Sequence, residues 1–255
     1  MKIVKKILLY GLLAFLVFFV SNGIYENIYI QQEINDFKKA GVYESEEMIG
    51  NTKVIYYKVS RETYVEKGWE AYERPTIKEH VIGSNGDILL NKKSPFDNLP
   101  FIYEFIYFFF GGHAVAAKGL ENGDSFDDLG VNVLEVAGNT EDSNYVREIK
   151  NNWFLSDRRE ETIGVRVKGV TKEDTDNFTN NILAKLGEPY NYSFIFNTKK
   201  SHYCTDLMSK CYQEAGFKIN DWFYTSINDL ITSKNTYISF YKYNDGKTTY
   251  VYYLG

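Results

Sequence analysis

A chain of 255 residues with a net charge of −5 has room for one sizeable domain plus an anchor, and it is long enough to bury a core without cross-links. Its basic residues form no run beyond short Lys pairs, which argues against nucleic acid as a partner. Two cysteines and three scattered histidines give no zinc-ligand spacing, so neither a metal nor another cofactor is expected.

The N-terminus reads as a membrane segment. Lys2, Lys5 and Lys6 precede ILLYGLLAFLVFFVSNGIY, residues 7–25. A helix of that length reaches about 28 Å, close to the thickness of a bilayer core. The lysine flank predicts a cytoplasmic N-terminus and places the remainder outside the cytoplasm. A cleaved signal peptide is the competing reading, with Ser21-Asn22-Gly23 as its cleavage site. A buried core helix is a third. The uncleaved single-pass anchor is preferred. The expected organisation is an anchor or signal sequence over 1–25, a linker helix over 26–50, and one α+β domain over 51–255.

Residues 26–40 read as a polar helix, and TKVIYYKVS, 52–60, alternates like a strand. Residues 61–80 give no clear pattern, and His80 reads as an ordinary strand-edge histidine. SNGDILL, 84–90, is a turn into a short strand. PFIYEFIYFFF, 100–110, is unusually apolar and too short to span a bilayer. Its preferred reading is interior packing; the other is a hydrophobic lip touching a membrane or an apolar substrate. GHAVAAKG and GVNVLEVAG form two strands joined by the polar loop ENGDSFDD, which lacks the ligand alternation of a calcium loop. IGVRV, 163–167, is a further strand. KEDTDNFTNNILAKLG, 172–187, is a helix with an acidic first turn and a glycine stop. Residues 203–215 form another helix, closed by Gly216. The chain ends in a hairpin on an Asp-Gly turn.

The helix at 203–215 carries both thiols. Cys204, Leu207, Met208, Cys211 and Ala215 share one face, which must be the core face. Two cysteines seven residues apart on one helix have Cα atoms about 10 Å apart, too far for a disulfide. Cys204 lies in the first turn, where unpaired backbone N–H groups favour a thiolate. Taken alone, Cys204 reads first as a small buried hydrophobe, and Cys211 is read as one. A hairpin loop centred near Asp124 pairs His113 with Glu135, Val115 with Val133 and Ala117 with Val131. His113 and Glu135 then share a sheet face, and an imidazole N–H would satisfy a carboxylate buried in an apolar strand. A nucleophile, a base and an orienting carboxylate are thus expected in Cys204, His113 and Glu135. His202 is a weaker candidate base, because residues two apart on a helix do not face each other.

The ordered set GHAVAA, VLEVAG, GEPYNYSF, YCTDLMSKCYQEAGF and SINDL resembles the YiiX-like permuted papain-fold amidases, relatives of the NlpC-type cell-wall peptidases. The resemblance covers roughly residues 80–240. It implies a circularly permuted papain-like α+β fold, with an antiparallel sheet packed on the cysteine helix. It assigns Cys204 as nucleophile, His113 as general base and Glu135 as the third polar residue. Tyr190, in the Gly-x-Pro-Tyr turn, and Tyr203, the aromatic residue before the cysteine, are the substrate-binding residues it suggests. Asp206 and Asp229 match the acidic positions that follow. The sequence departs from the pattern at Ser226-Ile227-Asn228, where a proline is common, and in the long apolar block before His113. The expectation is a membrane-tethered cysteine amidase or peptidase acting outside the cytoplasm, with cell-wall peptide as the expected substrate. The alternatives are a lipid acyl hydrolase or transferase of the lecithin:retinol acyltransferase type, which shares the permuted layout, and a non-catalytic tethered binding module. Discrimination rests on the acyl group found on Cys204 or on an inert thiol.

Overall fold

The computed structural model describes residues 2–62, 72–93, 100–119, 132–138, 144–155, 161–193, 199–220 and 224–255. A single helix, α1 (Lys2–Lys39), opens the chain. Strands β1 (Gly41–Ile49) and β2 (Thr52–Val59) follow, then β3 (Ile77–Lys78), β4 (Val81–Ile82) and β5 (Ile88–Asn91). After α2 (Pro100–Phe109) come β6 (His113–Lys118), β7 (Asn132–Val136), β8 (Val146–Lys150) and β9 (Thr162–Val167). Helices α3 (Lys172–Leu183), α4 (Cys204–Glu214) and α5 (Ile227–Thr232) precede the closing strands β10 (Thr236–Asn244) and β11 (Thr248–Leu254).

Nine strands form one sheet in the order β1-β2-β11-β10-β9-β5-β6-β7-β8. Its neighbours run antiparallel except β11 and β2, which are parallel. The expected Asp-Gly hairpin joins β10 to β11, with Gly246 at φ 92° and the Asp245 carboxylate accepting from Thr248 N at 2.8 Å. Pairing of β11 with β2 ties the end of the chain to its beginning, a contact no local pattern announces.

Period-two alternation sorts the strand residues onto two faces. Ile88, Leu90, Ala114, Ala116 and Leu134 join the core beneath the helices, whereas Leu89, Val115, Ala117 and Val133 pack on the other side with Trp153 and Phe154. The helical layer contributes Phe178 and Ile182 from α3, Leu207, Met208, Cys211 and Tyr212 from α4, and Ile227 and Leu230 from α5. α3 begins with a capping box in which Thr171 and Asp174 satisfy each other's backbone N–H groups. It ends at Leu183, before the glycine stop expected at 187, because the last residues tighten into turns.

Three expectations shift. The linker helix of 26–50 is the second half of α1 and stops at Lys39; residues 41–49 form the edge strand β1 instead. Ile30, Ile34 and Phe37 recur at helical spacing and are buried in the main core, so this half of α1 is part of the folded domain. Residues 100–109 form α2, and of the block 100–110 the described side chains, 104, 105 and 107–110, are exposed or half-buried rather than interior, with Phe109 and Phe110 against Phe19 of α1. His80 lies in the turn between β3 and β4 with φ 60°, its Nε2 2.7 Å from Glu47 Oε1.

Candidate active site

Four elements meet at the site. α4 supplies Cys204 from its first turn, β6 supplies His113 as its first residue, β7 supplies Glu135, and β8 supplies Arg147. His113 is aimed by the glycines before it. Gly111 takes φ 78°, and a Cβ on Gly112 would lie 1.9 Å from Lys93 O. Gly112 N donates to Asn91 O at 3.1 Å, which starts the β5–β6 ladder in register. Only residues without side chains fit that approach.

The expected register of β6 and β7 is corrected by two residues. Ala116 pairs with Leu134 and Ala117 with Val133, a register that, carried one residue further, sets Glu135 across from Val115 and diagonal to His113. Moving the centre of a hairpin loop by one residue moves the pairing by two, and a shift of two leaves every side chain on the face it had. The His113–Glu135 contact therefore survives the correction: Nε2 lies 2.7 Å from Oε2. The loop residues Asp124 and Val131 used in that expectation lie outside the described residues.

Glu135 is 2% exposed and uses its two oxygens separately. Oε2 takes His113, while Oε1 accepts from Arg147 Nε at 2.9 Å and Nη2 at 2.6 Å. Arg147 stands directly across β7–β8 from Glu135. Burial alone would raise the carboxyl; hydrogen bonds and charge from His113, then from Arg147, overcome it and hold Glu135 at about 2. Burial would likewise lower the His113 imidazole, but hydrogen bonds to Cys204 and Glu135, with their charges, carry it from the ordinary 6.5 up to about 9. With Nε2 on the carboxylate, Nδ1 is left to serve the thiol. The ring is steadied by Trp153, stacked at 6.1 Å between centroids.

Both cysteines are free and buried. Cys204, 8% exposed, sits beside the imidazole; Cys211, fully buried two turns deeper, has its thiol pushed up to about 12, chiefly by burial. Tyr203 is the N-cap of α4, yet its side chain does not cap the first turn. Its hydroxyl instead accepts from Thr225 N at 2.9 Å, so this ring holds the segment before α5. Tyr190 stands nearer the chemistry. Its ring lies against Gly138, where a Cβ would come within 2.7 Å, and burial followed by the Cys204 charge raises its hydroxyl pKa. His202 is fully buried, with Nε2 2.6 Å from Glu188 Oε2 and Nδ1 3.7 Å from Asp206 Oδ2. Asp206 also accepts from Lys210 Nζ at 2.5 Å. Asp229 completes a capping box with Ser226 at the start of α5. Both aspartates thus have structural partners.

The sequence does not single out Arg147. In VREIK it reads as one charge among several on an outer strand. Its opposition to Glu135 appears only once β8 is paired to β7, although an acidic residue in an otherwise apolar strand does call for two partners.

No protein-family model matches the chain, and no curated protein matches it. Among solved structures, it is similar to one described as metalloprotein yiiX from Escherichia coli O157:H7, with 15% identity, a TM-score of 0.48, and coverage of 63% of this chain and 98% of that one. Among the described residues here, no three His, Cys, Asp or Glu side chains converge as a metal-ligand set. Residues Val4–Lys39 form a helix long and apolar enough to span a membrane, a property a signal sequence shares.

Proposed function

We propose that the chain is a membrane-tethered cysteine hydrolase of permuted papain-like type, acting outside the cytoplasm on an amide or peptide bond. The observation that carries this reading is the position of His113, whose Nε2 lies 2.7 Å from Glu135 Oε2 and whose imidazole is close enough to Cys204 for the thiol to raise its pKa. In this reading His113 holds the thiol proton, and the Cys204 thiolate attacks the substrate carbonyl carbon. A C–S bond forms, the C–N bond breaks, and the leaving amine takes the proton from His113. Water then attacks the thioester with His113 as base, and the acid departs with the thiol restored. N–H groups in the first turn of α4, which the Tyr203 side chain leaves uncapped, would face the developing oxyanion. Glu135 holds the ring orientation, and Arg147 keeps Glu135 ionised. Tyr190 forms a wall for the acyl group beside Cys204.

The tether is part of the proposal. Cleavage at 21–23 would cut α1 where Gly23 is packed against the Phe109 ring, within one continuous helix. A wall peptide is the favoured substrate on the resemblance to NlpC-type peptidases. The test is incubation of the full chain with purified peptidoglycan and, separately, with phospholipid vesicles, wild type beside Cys204→Ala. Release of new peptide termini by the wild type alone supports the reading. A fatty acyl adduct on Cys204 would move the lipid acyl hydrolase forward, and an inert Cys204 would favour a binding module.

A further inference from the structure

We propose that α2 is an aromatic lip seated in the lipid leaflet that faces the folded domain, holding the His113 end of the site at the bilayer surface. The inference rests on the tether reading of α1, and it adds a second membrane-contacting element. α2 reads PFIYEFIYFF, with one charged side chain, Glu104, in ten residues. Phe105 and, just after the helix, Phe110 are 45% and 37% exposed.

The position of α2 along α1 selects lipid as the occupant. Phe19 of α1 stacks on Phe109 at 4.6 Å and approaches Phe110 at 6.3 Å. A Cβ on Gly23 would lie 2.4 Å from the Phe109 ring, so the two helices touch closely at the last apolar turn before Glu26. Phe18 and Val20, on the same stretch of α1, are 60% and 45% exposed. The exposed rings of Phe105 and Phe110 therefore continue the uncovered apolar surface of α1. Polar groups lie on the domain side of this junction. Asn27 Nδ2 donates to Phe108 O at 2.7 Å, Asn228 Nδ2 donates to the same oxygen at 3.0 Å, and Lys92 Nζ donates to Asn27 Oδ1 at 2.9 Å. Aromatic rings below and a hydrogen-bonded polar lock above match the acyl–headgroup boundary, where amphipathic aromatic elements settle. The lip is wired to the site: Ile227 N donates to Phe110 O at 3.0 Å, and Gly111 and Gly112 lead straight into His113.

Tryptophan quenching by brominated lipid tests this in the full chain. Three single variants, Leu12→Trp, Phe105→Trp and Asp36→Trp, are placed in phosphatidylcholine nanodiscs with and without dibrominated acyl chains. The signal is the emission gained over the wild type, whose three native tryptophans set the baseline. All three positions are exposed, so the variants should fold. Leu12→Trp and Phe105→Trp should each lose half or more of the added emission. Asp36→Trp, roughly 20 Å beyond Gly23 along the helix axis, should lose none. If Leu12→Trp is quenched and Phe105→Trp behaves like Asp36→Trp, the lip is overturned and the tether stands. If Leu12→Trp is not quenched, the tether and the lip fall together. Unquenched Phe105→Trp in particles that hold two chains would assign the rings to a second copy of this chain.

Discussion

At the scale of the residue, Glu135 decides how the site is charged. One oxygen serves His113 and the other Arg147, so the carboxylate is fixed in position and kept ionised. Replacing Arg147 by Ala removes the charge-assisted bonds at Oε1 and should destabilise the fold by about 1.5–3 kcal/mol in urea unfolding, with Arg147→Lys in between. Linkage gives the pH dependence its sign. The raised His113 stabilises fully below its ordinary 6.5, and that contribution is lost as pH rises through about 9. The lowered Glu135 stabilises above its ordinary 4.5, and its contribution is lost as pH falls towards about 2. Their joint contribution is therefore complete between about 4.5 and 6.5. Glu135→Gln should lower the His113 pKa, read from its ring proton shifts by NMR; an unchanged titration would remove Glu135 from its role. The two thiols should separate by chemistry. At pH 7 iodoacetamide should label Cys204 roughly tenfold faster than Cys211 or more, because burial keeps the second thiol protonated. His113→Ala should slow that labelling and reduce turnover on the order of 10² to 10⁴-fold, whereas Cys211→Ser should do neither. Label found on Cys211 would discard the nucleophile assignment.

At the scale of the element, the central strands β5 and β9 are buried on both faces, and one of them still carries an arginine. Arg166 is completely buried, and its Nε donates to Asp87 Oδ1 at 2.9 Å; Arg74 Nη2 lies 3.2 Å from the same oxygen. Asp87 also accepts from Ser84 N at 2.9 Å, so the turn before β5 and the end of β9 are locked together. Asp87→Ala leaves two buried guanidinium groups without their carboxylate and should cost about 3–5 kcal/mol by denaturant titration. Loss of less than about 1 kcal/mol would mean that water compensates the pair. The Gly111-Gly112 link is equally exacting. Gly112→Ala must push Lys93 O aside, which moves the first residue of β6, and the expected result is lost activity with the helical content retained in circular dichroism.

At the scale of the whole molecule, α1 has two halves of different character. Its first half is exposed and apolar, while Ile30, Ile34 and Phe37 in its second half are core residues. On the proposed tether reading, a folded domain built directly onto the end of α1 has little freedom to rise from the bilayer, unlike one on a flexible linker. Ile34→Ala should therefore destabilise the domain itself, by about 2–5 kcal/mol, in detergent or nanodisc alike. For topology, alkaline phosphatase fused after Gly255 should be active when the chain is inserted; a fusion active only as a cytoplasmic reporter would reverse the proposed orientation.

The sequence by itself determined what local periodicity encodes. Alternation fixed which strand residues share a face, and helical spacing fixed the buried face of α4. The apolar run set α1, and Asp245-Gly246 set the last hairpin. The pairing of His113 with Glu135 belongs here, because face identity tolerates a register error of two residues. Only the tertiary structure decided the contacts that depend on how distant segments close on one another. Arg147 reaches Glu135 through the β7–β8 register, Asp87 lies between Arg74 and Arg166, and β11 runs parallel to β2. The same holds for the packing of α2 against α1, which its composition does not announce. Hydrophobicity records that a surface must leave water, and it carries no information about what covers that surface. The neighbour is chosen by loop closure and by packing against Phe19 and Gly23, more than seventy residues away in the chain.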